Sequence, residues 1–107
     1  MFASTNNTQK NPVFSDTNPV MGTLIQLATD ATISGHVIIR LLVDDVIACA
    51  RECLLYLNCL SINYEYKPTK NREFPSLGTI CELNDETTKD VQLHRMDGYK
   101  YYERINF

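Results

Sequence analysis

Four cysteines constrain the fold of this 107-residue chain more than any other feature of its sequence. They follow the spacing Cys49-x3-Cys53-x5-Cys59-x21-Cys81. Structural zinc sites and redox sites both typically use two cysteines separated by two residues. No such C-x-x-C pair occurs here, so the spacing fits neither kind of site. An even number of cysteines in so short a chain favours two disulfide bonds over a zinc site or free thiols. We therefore expect an oxidising, extracellular location.

The spacing narrows the pairing of these cysteines without settling it. A bond between Cys49 and Cys53 is least favoured, because residues one helical turn apart project their side chains side by side. Cys53 can instead fold back to Cys59, which leaves Cys49 to reach Cys81. The remaining pairing, Cys49 with Cys59 and Cys53 with Cys81, stays open on spacing alone.

The length predicts a single domain, since domains run to about 100–150 residues. Residues 1–22 are rich in Asn, Thr, Ser and Pro and lack periodicity, so we predict a flexible leader there and a folded domain over 23–107. In the leader, Asn6 begins an Asn-Asn-Thr triplet, a candidate N-glycosylation acceptor. The first residues lack the basic and apolar stretches of a secretory signal, so we expect the chain to be part of a longer protein.

Charge and motifs argue against several classes of function. Ten basic and thirteen acidic residues give a net charge of −3, and the basic residues are scattered, which argues against nucleic acid and anionic membranes as partners. A membrane-spanning helix needs about twenty consecutive apolar residues, and every apolar run in this sequence is much shorter. We therefore expect no membrane insertion. His36 and His94 are far apart, and no serine or cysteine lies in a nucleophile motif. We therefore expect neither an enzyme nor a bound cofactor.

One acidic stretch invites comparison with a cation site. Asp85, Glu86 and Asp90 lie close together in the sequence, but they lack the D-x-D-x-D-G spacing of a calcium loop. A solvated turn is the favoured interpretation, and we predict no metal site.

Apolar periodicity predicts one helix and several strands. Asp44 and Asp45 precede residues 46–56, where apolar residues recur at three- and four-residue spacing and place both Cys49 and Cys53 on the buried face of a helix. Aliphatic or alternating stretches predict strands within 36–43, 59–66, 79–83 and 98–105, with a loop over 68–78. The expected fold class is α+β, with a sheet packed against one helix.

The order of these elements closely resembles that of the PAN/apple domain, in the four-cysteine form found in secreted and membrane-anchored proteins of invertebrate animals. The resemblance covers about residues 33–105. It rests on four segments taken in order, Cys49-Ala-Arg-Glu-Cys53, Cys59-Leu-Ser-Ile-Asn-Tyr-Glu-Tyr66, Cys81-Glu-Leu-Asn84 and Gly98-Tyr-Lys-Tyr-Tyr-Glu103.

The resemblance implies both a fold and a kind of function. The implied fold is an antiparallel β-sheet cradling one α-helix, with the helix stapled to strands by Cys49–Cys81 and Cys53–Cys59. The implied function is that of an extracellular module that binds protein or carbohydrate within a larger adhesion or matrix-associated protein. Two alternatives remain, a structural spacer that binds nothing and an accessory domain of a secreted hydrolase.

The tyrosines are the candidate ligand contacts, because tyrosine offers rigid, amphipathic contact area. The candidate surface comprises Tyr66, Tyr99, Tyr101 and Tyr102. Packing over the sheet is the favoured alternative for these side chains. Lys67, Lys70 and Arg72 are weaker candidates for sulfated glycans, and a solvated loop is the favoured interpretation there.

Overall fold

The computed structural model describes residues 24–68 and 78–105. These ranges contain, in chain order, β1 Leu24–Thr32, β2 Val37–Val43, α1 Val46–Leu54, β3 Ser61–Glu65, β4 Thr79–Asn84 and β5 His94–Arg104. The strands form one antiparallel sheet in the order β1-β5-β3-β4-β2, and α1 packs against one face of it. The predicted α+β fold, an antiparallel sheet with one helix, is confirmed.

The helix begins where the sequence predicts. The Asp45 carboxylate accepts the backbone N–H of Ala48 at 2.8 Å, which satisfies one of the free donors of the first turn. At the other end the N–H of Leu55 donates to the carbonyl of Glu52 at 3.1 Å, and this tighter turn ends the helix at Leu54. The helix therefore ends two residues before the predicted end.

Two disulfides attach the buried face of α1 to the rest of the domain. Cys49 bonds to Cys81 in β4, and Cys53 bonds to Cys59, with Cα–Cα distances of 5.5 and 5.3 Å. These are the pairs that the family resemblance implies. Cys59 lies in the segment before β3, so the second bond ties the helix to a connection and not to a strand. All four cysteines are fully buried, which makes them part of the core.

The strands differ from prediction mainly along β1 and β5. Strand β1 was not predicted, because its register shifts between Gln26 and Ala28 and again between Thr29 and Ala31, which breaks the period-two alternation. Strand β5 begins at His94, four residues before the predicted start at 98. The central strand β3 is buried along its whole length, since a strand lies on either side and both faces are covered.

The connection between β1 and β2 covers the face of the sheet opposite the helix. Asn63 in β3 points away from the helix, because its neighbours Ile62 and Tyr64 pack in the core beneath α1. Its side chain accepts the N–H of Ile33 at 3.2 Å and donates to the carbonyl of Ile33 at 2.9 Å. The amide also donates to Glu82 at 3.0 Å. The buried Asn63 side chain therefore forms hydrogen bonds with both the N–H and the carbonyl of Ile33, the residue of the β1–β2 connection that crosses this face.

Further polar groups extend this arrangement along the same face. The Ser61 hydroxyl donates to the carbonyl of Glu86 at 2.6 Å and accepts from the Asn84 amide at 3.1 Å. Ser61 and Asn84 are both fully buried. The face opposite the helix is thus held by a hydrogen-bonded polar network, whereas the helix face is held by apolar packing and disulfides.

Several expectations concern residues outside the described ranges. These are the leader over 1–22, the acceptor Asn6, the side chains of Lys70 and Arg72, and most of the loop predicted over 68–78.

Replacing Asn63 by Asp tests the network that holds the crossing connection. The isosteric change removes both N–H donors, leaves the Ile33 carbonyl unpaired and sets a carboxylate against Glu82. We expect Asn63→Asp to lower the free energy of unfolding at neutral pH by about 3 kcal/mol, measured by urea denaturation. Asn58→Asp, at an exposed position, is the matched control and should change it by less than about 0.5 kcal/mol. Equal effects of the two changes would contradict the proposed role of Asn63.

Candidate functional site

The structure separates the four candidate tyrosines. Tyr101 and Tyr102 are 0% and 2% exposed, and Tyr99 is also buried, whereas Tyr66 is 36% exposed. Because a buried ring is not available to a ligand, the four do not form a common surface. Tyr66 is the member of the set that keeps an accessible ring, and the other three pack within the domain.

Burial changes the acid–base behaviour of these packed tyrosines. It raises the pKa of Tyr102 to about 12 and raises the pKa of Tyr101 further above the ordinary value. The Tyr101 hydroxyl donates to Glu103 at 2.9 Å, and the same carboxylate accepts the backbone N–H and the hydroxyl of Thr88. These hydroxyls therefore remain protonated and serve the packing of the domain.

An open groove lies where the pairing of β1 with β5 is interrupted. Thr29 pairs with Lys100 and Ala31 pairs with Arg95, so Asp30 alone faces residues 96–99. Bulges of this kind bend a strand and redirect its side chains, and they are common beside binding sites. The groove has a volume of about 670 Å³ and is lined by Asp30, Tyr66, Lys67, Pro68, Arg95, Asp97 and Gly98.

Asp30 organises one wall of this groove. It has a left-handed backbone conformation with φ of 59°, which Asp tolerates better than most residues. Its Oδ1 accepts the N–H of Gly98 and the hydroxyl of Tyr66, both at 2.9 Å. These two hydrogen bonds, the Gly98 bond first, lower the pKa of Asp30, and the bond to Asp30 raises the pKa of Tyr66. Asp30 is therefore an ionised acceptor that orients the Tyr66 ring.

Gly98 forms the floor of the groove, where only glycine fits. Its φ is 91°, and a Cβ atom there would lie 2.7 Å from the Lys67 carbonyl oxygen. Its own carbonyl accepts the N–H groups of Tyr66 at 2.8 Å and Lys67 at 3.1 Å. The bulge of β5 is thus fixed directly to the chain that leaves β3.

Charged side chains of both signs surround the Tyr66 ring. The Lys100 ammonium lies 4.8 Å from the ring centroid, a cation–π distance. Arg95 and Asp97 form an exposed ion pair with an N–O distance of 3.0 Å. Among the residues that the structure describes, the groove therefore combines an aromatic ring with cationic donors and carboxylate acceptors.

The other candidates from the sequence do not come together as a site. His36 lies beside Asp85 with an N–O distance of 3.6 Å, whereas His94 pairs with Thr32 across β1 and β5. Within residues 24–68 and 78–105, no group of three or more His, Cys, Asp or Glu side chains could hold a metal ion. None of the helices in those ranges is long and apolar enough to cross a membrane.

Sequence reasoning missed most of the residues that line the groove. Asp30, Arg95 and Asp97 carry no motif, and Asp30 and Gly98 are 68 positions apart. Two signals did exist, because aspartate is depleted in strands and a glycine inside a strand marks a bulge or a close backbone approach. Asp30 in β1, and Asp97 and Gly98 in β5, match those signals.

Raising the pH tests the burial of the tyrosines. Tyr102 ionises near pH 10 in an unfolded chain and at about 12 in the folded domain, so its contribution to stability is complete below pH 10 and is lost as the pH rises. We expect the free energy of unfolding to fall between pH 10 and 12, with about 2 kcal/mol of the fall due to Tyr102. Tyr102→Phe should show a correspondingly smaller fall in denaturation curves. The same pH dependence in both proteins would contradict this assignment.

Comparison with known proteins assigns the domain to a family. The sequence model of the PAN domain matches residues 25–107, which is 83 of the 107 residues. No curated protein gives a significant match to the chain. PAN domains are modules that bind proteins or carbohydrates, and they are not a catalytic family. The chain, with its two disulfides and five-stranded antiparallel sheet carrying one helix, belongs to the PAN domain family.

Proposed function

We propose that this domain is an extracellular binding module that holds a protein or carbohydrate ligand by non-covalent contacts. Within a larger adhesion or matrix-associated protein, it supplies recognition and not catalysis. The observation that carries the proposal is the groove beside Tyr66, where an exposed aromatic ring is surrounded by charged donors and acceptors. A volume of about 670 Å³ lies within the range of small-ligand sites.

The groove is held in position before any ligand arrives. Asp30 fixes the Tyr66 hydroxyl, and Gly98 is bonded through both its N–H and its carbonyl. A site whose side chains are already ordered loses less conformational entropy on binding. This supports a role in recognition, because a spacer has no need for an oriented, exposed ring.

The disulfides support an extracellular location. Both bonds are buried, and such bonds persist in oxidising compartments whereas the cytosol keeps thiols reduced. A domain of this size also gains a large share of its stability from them.

Binding arrays separate the proposed function from a spacer. The oxidised domain is applied to a glycan array and to an array of secreted and cell-surface proteins, with the reduced and alkylated domain as the unfolded control. We expect saturable binding to at least one class of ligand, and loss of that binding in the control. Binding that is no stronger for the oxidised domain than for the control, on both arrays, would contradict the proposal and favour the spacer.

A role as the accessory domain of a secreted hydrolase is the second alternative. Catalysis would then reside in sequence outside these residues, and the module would only place the enzyme on its substrate. Binding limited to the substrate of a neighbouring catalytic domain would favour that role.

A further inference from the structure

We infer that the free edge of β2 pairs with β2 of a second copy of the chain, so that the two sheets join into one antiparallel sheet across a two-fold axis. Such pairing goes beyond the proposed function. Within the described ranges β2 is one outer strand of the sheet, and the groove lies beside β1, the outer strand at the opposite edge. Pairing through β2 therefore leaves the groove open.

Backbone groups of β2 point out of the sheet. The N–H of Ile80 in β4 donates to the Glu65 carboxylate of β3 at 2.9 Å, so it points away from β2. Opposite residues of antiparallel strands either exchange both hydrogen bonds or exchange none, and the two kinds alternate. Leu42 lies opposite Ile80, so its N–H and carbonyl point to the free edge, as do those of Arg40 two residues earlier. Among the described residues, no strand lies beyond β2 to pair with these groups.

The two outer strands differ in how they are protected. Soluble proteins blunt a sheet edge with bulges, charges or proline, because an open edge pairs with other chains. Strand β1 has two register shifts and carries Asp30 in a left-handed conformation, so its edge is irregular. Strand β2 is regular over residues 39–43. Its one charged residue, Arg40, is held in an ion pair with Glu82 at 3.3 Å. The β2 edge is therefore the open one.

Apolar side chains line this open edge. Ile38 and Leu42 are 40% and 48% exposed, and a depression of about 300 Å³ lies beside the strand. The residues that line it are Arg40, Leu41, Leu42 and Ile80. A second strand laid along the edge covers these side chains and removes apolar surface from water. Apolar burial therefore adds to the new backbone hydrogen bonds.

The sequence of β2 selects the register of a two-fold pair. A register centred on Arg40 sets the two Arg40 side chains opposite each other, which their like charges disfavour. A register centred on Leu41 instead places Arg40 opposite Leu42 of the second copy. Because Arg40 and Leu42 carry the outward backbone groups, they then form two hydrogen-bonded pairs with two bonds each. Ile39 meets Val43 of the second copy, so apolar residues face apolar residues on either side of the centre.

Charge also fits this register. The diagonal neighbours of Arg40 across the pair are Arg40 and Asp44 of the second copy, and Asp44 is an exposed residue that directly follows β2. Diagonal neighbours lie within reach of long side chains. Each Arg40 then has two carboxylate partners, Glu82 of its own chain and Asp44 of the second copy, which offset the approach of the two guanidinium groups. A second copy therefore supplies both the apolar side chains and the acid that suit this edge.

Sedimentation velocity of the oxidised 107-residue chain tests the pairing. One short strand pair is a small interface, so we expect weak association, with monomer at about 10 µM and a rising share of dimer towards about 1 mM. In ¹⁵N spectra over the same concentrations, the amides of Arg40 and Leu42 should shift and become protected from hydrogen exchange. The amide of Gly98, in the groove, should not change and serves as the internal reference.

Substitutions at Leu42 separate this register from nonspecific association. Leu42→Lys sets a cation opposite Arg40 of the second copy, and we expect it to weaken dimerisation at least tenfold. Leu42→Glu removes the same apolar side chain but sets an acid there, so its dimer should be at least fivefold tighter than that of Leu42→Lys. Leu27→Lys is the matched control and should stay within twofold of the unmodified chain. Leu27 lies in β1, the other outer strand, and is 47% exposed against 48% for Leu42.

Other outcomes overturn the inference, and they are distinct from failure of the proposed function, which is measured on the arrays. A monomer at every concentration would overturn it and leave the β2 edge to a strand of another protein. A dimer whose shifts centre on Leu55 and Leu57, the exposed leucines after the helix, would place the association elsewhere. Equal effects of Leu42→Lys and Leu27→Lys, or of the two Leu42 variants, would contradict the register. The ¹⁵N spectrum of each variant reports whether it is folded, and the shifts of the unmodified chain remain decisive if a variant is not.

Discussion

The bond between Cys49 and Cys81 joins the helix to β4, and the apolar half of the domain is assembled around it. A nine-residue helix is too short to be stable alone, so its formation depends on this attachment and on the apolar face it buries. Closing a loop of 32 residues stabilises by roughly 4 kcal/mol in the chain-entropy model, and net domain stabilities are about 5–15 kcal/mol. Cys53–Cys59 then fixes the end of the helix beside the entrance to β3.

The face of the sheet opposite the helix is held by hydrogen bonds between polar side chains. These hydrogen bonds explain why polar residues occur in the segments that resemble the family. Ser61, Asn63 and Asn84 belong to the segments that carry the resemblance, and all three are buried in one hydrogen-bonded network. Asn63 satisfies both backbone groups of Ile33, so it replaces the strand partner that the crossing connection lacks. With both faces covered, the sheet can hold an irregular stretch of β1 and β5 in place, and that stretch forms the groove.

The sequence predicted the elements whose signals are local. The capping Asp45, the helical spacing of Cys49 and Cys53, and the alternation in β3 all depend on near neighbours, and each of those elements is present. Strand β1 was not predicted, because its bulges break the alternation of apolar and polar residues. Alternation along a strand predicts which tyrosines share a face of the sheet. It does not predict which segments cover that face, because this depends on the tertiary structure. The groove was not predicted for the same reason. Asp30 and Gly98 are far apart in the sequence, and they meet only at the bulge between β1 and β5.

Mapping the disulfides in the native protein tests the central claim most directly, namely that two bonds from one helix organise the domain. Intact mass is measured with and without alkylation under non-reducing conditions, followed by peptide mapping of the linked cysteines. The account predicts no alkylatable thiol, with Cys49 linked to Cys81 and Cys53 linked to Cys59. Four alkylatable thiols in natively folded protein would contradict it, because the helix would then be held without covalent bonds and the case for an oxidising location would be lost.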